Sequence, residues 1–329
     1  MGEPAGIGAE ITLRSWLELC RTDCAFFILH DPEHVAAAAR ALSLDVPVSS
    51  ISRADEARRA FRDSLPVMPV RLQAPVVMGR PDVRNASSVV DAIRHAIDLV
   101  VAGAASGVVT NPIQKAVLYE GGFRFPGHTE FLQDLAGPGY RATMTLASEQ
   151  LKVIPVPIHE PLAAAVGGIS VARILAVARA AEAGLRFDFG IQRPRLAIAG
   201  LNPHAGEAGS MGREEIEVIA PAIEALRQSG IDAWGPYPPD TMFTARSRAT
   251  YDAAICMYHD QALIPLKTLD ADGGVNVTLG LPFVRTSPDH GTALNIAGKG
   301  IADPGSLISA IKMAVRIVGQ RQQRQGLDA

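Results

Sequence analysis

Residues 195–207 read RLAIAGLNPHAGE, and this stretch decides the fold class. Arg195 to Gly200 is a short apolar run of strand length that stops at a glycine. Asn202, Pro203, His204, Gly206 and Glu207 crowd into the next few positions. Beyond them Ile216, Ile219, Ile223 and Leu226 recur three and four apart, the spacing of one helix face. The order is strand, polar turn, helix, and it repeats along the chain. Strands are expected at Ala25–Leu29, Gly107–Thr110, Thr143–Leu146, Val153–Val156, Arg195–Gly200, Ala253–Tyr258 and Val275–Leu279. Helical stripes are carried by Val89, Ile93, Ile97 and Val100, by Val171, Leu175 and Ala178, and by Leu307, Ile311, Val315 and Val318. Asp303 and Pro304 suit the N-cap and first position of the last of these. Pro221 falls inside the Ile216–Leu226 pattern and predicts a kink or a boundary there. Apolar runs alternating with helices indicate an α/β chain whose strands are largely parallel and buried on both faces.

The 329 residues suffice for about two domains. No Ser/Gly/Pro linker or 20–50-residue repeat divides them, so interleaved lobes are expected. Hydrophobic residues make up 48% and charged residues 20%, which excludes a mainly disordered chain. The 31 basic and 34 acidic side chains give a net charge of −3, so nothing favours a nucleic-acid partner. The longest apolar or small stretch, Leu99 to Val109, is too short to span a membrane. The start carries no basic and apolar segments of a secretory signal. Three cysteines, Cys20, Cys24 and Cys256, cannot all pair, and reduced thiols in a cytoplasmic protein are expected.

Polar residues cluster where apolar runs end, the places at which open α/β sheets bind ligands. The segments are Gly2–Gly8 (GEPAGIG), Pro126–Glu130, Pro157–Pro161, Gly200–Glu207, Met257–Gln261 and Asp289–Gly300. Five of the eight histidines, His128, His159, His204, His259 and His290, fall in them. Neutral imidazoles bind divalent metals, but no H-x-x-x-H pair exists, so any ligands must converge from separate strands. GEPAGIG is neither G-x-G-x-x-G nor a Walker sequence and reads equally as a tight turn before a helix. Lys267, Asn276 and Arg285 at neighbouring strand ends suit an anionic group such as phosphate.

Together GEPAGIG, VTNPIQKAVL, FPGHTEFL, GLNPHAGE, PPDTMF, MYHDQALIPLK, GVNVTLGLPFVRTSPDHGTA and AGKGIADP resemble, in order, the 4-hydroxythreonine-4-phosphate dehydrogenase family of pyridoxine phosphate biosynthesis. The resemblance implies a two-lobed α/β fold like that of isocitrate and isopropylmalate dehydrogenases, with a central cleft and no Rossmann domain. It places residues 1–125 and 288–329 in a cofactor-side lobe and 126–287 in a metal, substrate and dimerisation lobe. It also implies a homodimer with the active site at the interface.

By the same resemblance the metal ligands are His159, His204 and His259, and substrate contacts fall on His128, Thr129, Lys267, Asn276 and Arg285. The cofactor would meet Gly2, Gly6, Gly8, His290, Gly291, Thr292, Ala293 and Asn295. NAD is implied, with NADP the alternative, together with a divalent metal drawn from Zn, Mg, Co and Mn. Catalytic candidates are His128, Asp240, Asp260 and Lys267; Asp260 reads more readily as a carboxylate orienting His259. Glu160 stands where the family carries a more apolar residue. The implied reaction oxidises 4-phosphooxy-L-threonine at C3 and decarboxylates it to 3-amino-2-oxopropyl phosphate. Alternatives are a paralogous dehydrogenase of phosphothreonate or erythronate 4-phosphate, or a metal-dependent phosphohydrolase or non-catalytic binding protein.

Overall fold

The computed structural model describes residues 1–271 and 273–326. In chain order the described strands are β1 (Ile28–His30), β2 (Val48–Ser50), β3 (Leu65–Pro69), β4 (Gly107–Val109), β5 (Thr143–Ala147), β6 (Lys152–Pro155), β7 (Arg195–Ala199), β8 (Asp232–Tyr237), β9 (Ala253–Cys256), β10 (Val275–Leu279) and β11 (Val284–Pro288). The chain folds into two compact units, Met1–Pro138 with Pro282–Val318, and Gly139–Leu281 with Gly319–Ala329. The lobes expected from the sequence changed over at 126 and 288. Residues 126–138 belong to the first unit because Phe131, on helix His128–Ala136, packs on Phe123 and Phe125 under Arg94.

The first unit holds a parallel three-stranded sheet in the order β1-β3-β2 and the parallel pair β4–β11. Helix Gly8–Leu19 lays Ile11, Leu13, Trp16 and Leu19 against Phe61, Leu65, Val67 and the start of helix Gly305–Gln325. That last helix begins at Gly305, one residue later than the sequence indicated, and the Asp303 carboxylate accepts from the Gly305 N–H at 2.7 Å. Its buried stripe, however, includes Leu307, Ile308 and Ile311, and Val315 is exposed.

The second unit is built on a sheet in the order β10-β5-β6-β9-β7-β8. β5 runs antiparallel to both β10 and β6, and the remaining pairs are parallel. The β5–β6 hairpin closes on Ser148, whose N–H donates to Leu151 O at 2.9 Å. Side chains alternate between two cores, as the two-residue period of a strand requires. Ile154, Leu196, Ile198 and Ile255 point to one, beneath helix Val171–Asp188, whereas Val153, Ala197, Ala254 and Cys256 point to the other, beneath helix His259–Leu269. Burial on both faces accounts for the nearly continuous apolar runs.

Pro221 resolves into a boundary. Glu215–Ile219 forms a π-helical turn and Ala220–Gln228 continues as α-helix with Pro221 in its first turn. The wider turn shifts the helix phase. Glu215 is therefore buried, and Ile216, expected on the core stripe, is 45% exposed. Among the described residues no single helix is long and apolar enough to cross a membrane, and all three cysteines are free thiols.

Candidate functional site

The candidate residues divide between the units. In the first unit, GEPAGIG is held by the ends of other elements. Glu3 N–H donates to Pro112 O at 2.9 Å, Ile7 N–H to Thr292 O at 3.1 Å, and the Glu3 carboxylate accepts from Ala5 N–H at 3.0 Å. A Cβ at Gly2 would lie 2.5 Å from Pro112 O, and one at Gly6 would lie 2.9 Å from Thr292 O. At both positions the close approach of backbone requires glycine. Gly8 opens the helix and has Asn111 beneath it.

The same contacts anchor the 290s turn. Glu10 accepts from Ala302 N–H at 2.9 Å and Arg14 donates to Gly300 O at 2.6 Å, tying helix Gly8–Leu19 to the end of AGKGIADP. In the turn itself His290 Nδ1 sits 3.0 Å from Gly291 O, while its Nε2 is buried with no hydrogen-bond partner. Thr292 is buried, Ala293 adopts φ 44°, and Gly291 and Asn295 are exposed. An orphaned imidazole nitrogen beside exposed backbone suits a nucleotide's polar edge.

His128 and Thr129 open helix His128–Ala136, whose N-cap Gly127 offers no side-chain hydrogen bond. The first N–H groups of that helix donate to no N-cap side chain. His128 Nε2 is buried without a hydrogen-bond partner. Burial, with Arg285 and then the chain's N-terminus and Lys115 nearby, holds its pKa well below the usual imidazole value. Arg285, on β11, is 3% exposed and donates from Nη2 to Thr110 Oγ1 at 2.7 Å. Burial pulls its pKa down to about 10. A buried guanidinium beside a neutral imidazole and uncapped N–H groups can take an anion.

In the second unit, His159 follows β6 and His259 opens the helix after β9. Their rings lie 5.9 Å apart, centroid to centroid, in a pocket of about 300 Å³ that Leu162, Ala165 and Tyr258 also line. His259 Nδ1 is 2.7 Å from Asp260 Oδ1, the arrangement that fixes an imidazole's tautomer and leaves Nε2 for another partner. Glu160 lines the same pocket and is ion-paired there. Arg173 donates to it at 2.6 Å and holds its pKa below the ordinary carboxylate range.

His204 lies on the turn after β7. Residues His204 to Ala208 all have positive φ, from 41° to 79°, and four of the five are not glycine. Such a run costs about 1–2 kcal/mol for each non-glycine residue, so its ends must be firmly held. Glu215 holds one of them: Oε1 accepts from the N–H groups of Leu201 and Asn202, both at 2.7 Å, and Oε2 accepts from Asn202 Nδ2 at 2.9 Å. Burial raises the Glu215 pKa, but these hydrogen bonds outweigh it and the net shift is downward. Glu215 and Gln261 are functional candidates that sequence reasoning missed. The signal was present, since Glu215, Ile219 and Ile223 share one i, i+4 stripe.

Two of the three expected metal ligands therefore meet and the third does not join them: among the described residues no three His, Cys, Asp or Glu side chains group around a metal position. Taken as a set within one chain they do not fit a three-ligand site. Asp240 is exposed at the start of helix Pro239–Met242, beside the His204 turn. Lys267 is exposed on the helix that His259 opens, and Asn276 lies on β10 with its Oδ1 buried and lacking a hydrogen-bond partner.

Residues 22–314 match the family described as pyridoxal phosphate biosynthetic protein PdxA. The chain belongs to this family. It is 49% identical over 325 residues, 97% of its own length and 96% of the relative's, to a 4-hydroxythreonine-4-phosphate dehydrogenase of Caulobacter vibrioides. It is 52% identical to one of Methylorubrum populi, over 96% of this chain and 93% of that one. The crystal structure of the Klebsiella pneumoniae 4-hydroxythreonine-4-phosphate dehydrogenase superposes with a TM-score of 0.85 at 35% identity, covering 97% of this chain and 98% of that one. A terephthalate 1,2-cis-dihydrodiol dehydrogenase of Burkholderia xenovorans is more distant, with a TM-score of 0.62 at 25% identity over 96% of each chain. The α/β reading of the sequence and its family resemblance both stand.

Proposed function

We propose that this protein is a 4-hydroxythreonine-4-phosphate dehydrogenase, which oxidises 4-phosphooxy-L-threonine at C3 and releases carbon dioxide to leave 3-amino-2-oxopropyl phosphate. The observation that carries the phosphorylated substrate, rather than a diol, is Arg285: a guanidinium 3% exposed next to His128, at the uncapped end of a helix. Thr129, Lys267 and Asn276 complete the proposed substrate contacts.

NAD, with NADP as the alternative, supplies a hydride acceptor when bound; His290, Gly291, Thr292, Ala293 and Asn295 are the residues proposed to hold it. His128 suits the general base. Its Nε2 has no hydrogen-bond partner to displace. It would take the C3 hydroxyl proton as hydride leaves the same carbon, giving a ketone β to the carboxylate. The bond to the carboxylate then breaks, its electron pair passing into the enolate, and a proton returned to C2 from the protonated His128 or from water gives the ketone product. Arg285 keeps the phosphate fixed throughout, and Asp260 orients His259. Asp240 remains the alternative proton carrier.

The family reading calls for a divalent metal, with Zn, Mg, Co and Mn the candidates, at His159, His204 and His259. Within one chain those three side chains do not close as a set. Active homodimers with a shared site are proposed as well. Leu162, Val166, Met211, Ile216 and Ile264 of the second unit are all exposed apolar side chains, which supports a partner surface. A cytoplasmic location fits the free thiols. The test is NADH formation from 4-phosphooxy-L-threonine, with phosphothreonate and erythronate 4-phosphate as competing substrates; turnover of either of those alone would overturn the substrate assignment.

A further inference from the structure

One buried side chain joins the turns that carry His204 and His259. Gln261 is 5% exposed. Its Oε1 accepts from the Met257 N–H at 2.6 Å, just before His259, and its Nε2 donates to Gly200 O at 2.8 Å, just before His204. Glu215 grips the next two residues of the second turn, Leu201 and Asn202, through the three hydrogen bonds described above. The packing around this network leaves no slack. A Cβ at Gly206 would lie 2.6 Å from Glu215 Oε2, and one at Gly200 would lie 3.3 Å from Glu215 Oε1.

We propose that Gln261, backed by Glu215, is a positioning residue that sets the spacing between the His204 turn and the His259 turn and so fixes where those two imidazoles, the proposed metal ligands, are held. The inference rests on the functional reading above. The amide is chemically specific here, because the two strand ends offer one N–H and one C=O and only a group with an acceptor and a donor on one plane satisfies both. A carboxylate accepts but cannot donate, and a thioether does neither well. The His204 turn is also the segment with five consecutive positive φ values, so a loosened anchor lets it relax toward ordinary backbone.

Gln261→Glu keeps the acceptor and loses the donor; Gln261→Met loses both at similar volume. Two readouts are compared: steady-state kinetics with 4-phosphooxy-L-threonine and NAD, and amide hydrogen exchange over residues 201–209. Leu226→Ala, in the core of the same unit, controls for simple loss of stability. Both Gln261 variants are expected to lower kcat about tenfold or more with KM for NAD unchanged, and to speed exchange over 201–209. Leu226→Ala is expected to lose comparable stability and keep kcat. A Gln261→Met enzyme with kcat within about twofold of wild type, or unchanged exchange over 201–209, overturns the proposal. Should Gln261→Met not fold, Glu215→Gln, which places an amide N–H against Asn202 Nδ2, is expected to give the same pattern. A wild-type protein without dehydrogenase activity would sink the functional reading instead, and the exchange measurement would then decide the positioning role alone.

Discussion

Replacing Arg285 with methionine separates stability from function. The guanidinium is 3% exposed, and burial takes its pKa from 12.5 to about 10. At about 1.4 kcal/mol per pH unit that corresponds to roughly 3 kcal/mol by which the fold disfavours the charge. The sign is unambiguous: the folded value lies below the unfolded one, so the penalty is fully present at every pH below 10. Arg285→Met removes it and loses the hydrogen bond to Thr110, worth roughly 1–3 kcal/mol. The ligand-free variant is therefore expected to be between equally stable and about 2 kcal/mol more stable than wild type. Inorganic phosphate at about a hundred times its Kd should stabilise wild type by roughly 2.7 kcal/mol and leave the variant unmoved. Thermal unfolding followed by Trp16, which lies in the same unit, in a Trp234→Phe background reads both effects. At roughly 2–4 °C per kcal/mol they are resolvable. A variant that loses more than about 2 kcal/mol and is still protected by phosphate would refute the reasoning.

The histidines make a pH prediction. His30, His34 and His128 all have pKa values pulled down, in each case by burial first. Below about pH 6.5 the unfolded chain takes up protons that the folded one refuses, so stability falls from pH 7 to 5, by up to about 1.4 kcal/mol per pH unit for each histidine. His128→Gln should flatten that slope in urea denaturation, and an unaltered slope would count against the burial argument. Glu160→Gln removes an ion pair whose side chains are 34% and 37% exposed, so it should cost no more than about 1 kcal/mol and leave kcat within twofold. A large kcat loss would show that Glu160 takes part in the chemistry. Gly6→Ala drives a Cβ to 2.9 Å from Thr292 O and should raise KM for NAD, by displacing the 290s turn, more than it raises KM for the phosphorylated substrate. Equal effects would contradict the assignment of that turn to the cofactor.

Much of this was legible in the sequence. β4, β5, β6, β7, β9 and β10 were visible as apolar runs because both faces are buried, and the histidines after β6, β7 and β9 stood out against them. β3 was hidden by Pro66 and Pro69, yet Leu65 and Val67 are fully buried and it pairs on both sides. β11 was hidden by its polar residues, which are buried through hydrogen bonds: Arg285 Nη2 donates to Thr110 Oγ1 and Thr286 Oγ1 donates to Ala310 O at 2.8 Å. β8 carries Gly235 and Pro236 on the edge of its sheet, where the rule against proline relaxes. The phase error at Ile216 has one cause, the π turn, which no α-helical period anticipates. Convergence was the illegible part. Sequence placed His159, His204 and His259 at strand ends, and only the structure shows that two of them meet while Gln261 and Glu215 hydrogen-bond to residues 200–202, ahead of the third.

The central claim is a dehydrogenase acting on a phosphorylated hydroxy amino acid. NADH formation from 4-phosphooxy-L-threonine and NAD with a divalent metal supplied, run beside the Arg285→Met variant, tests it most directly. NADH formation by the wild type that is largely lost in the variant is the predicted result. No NADH from folded, metal-supplied wild type would contradict it.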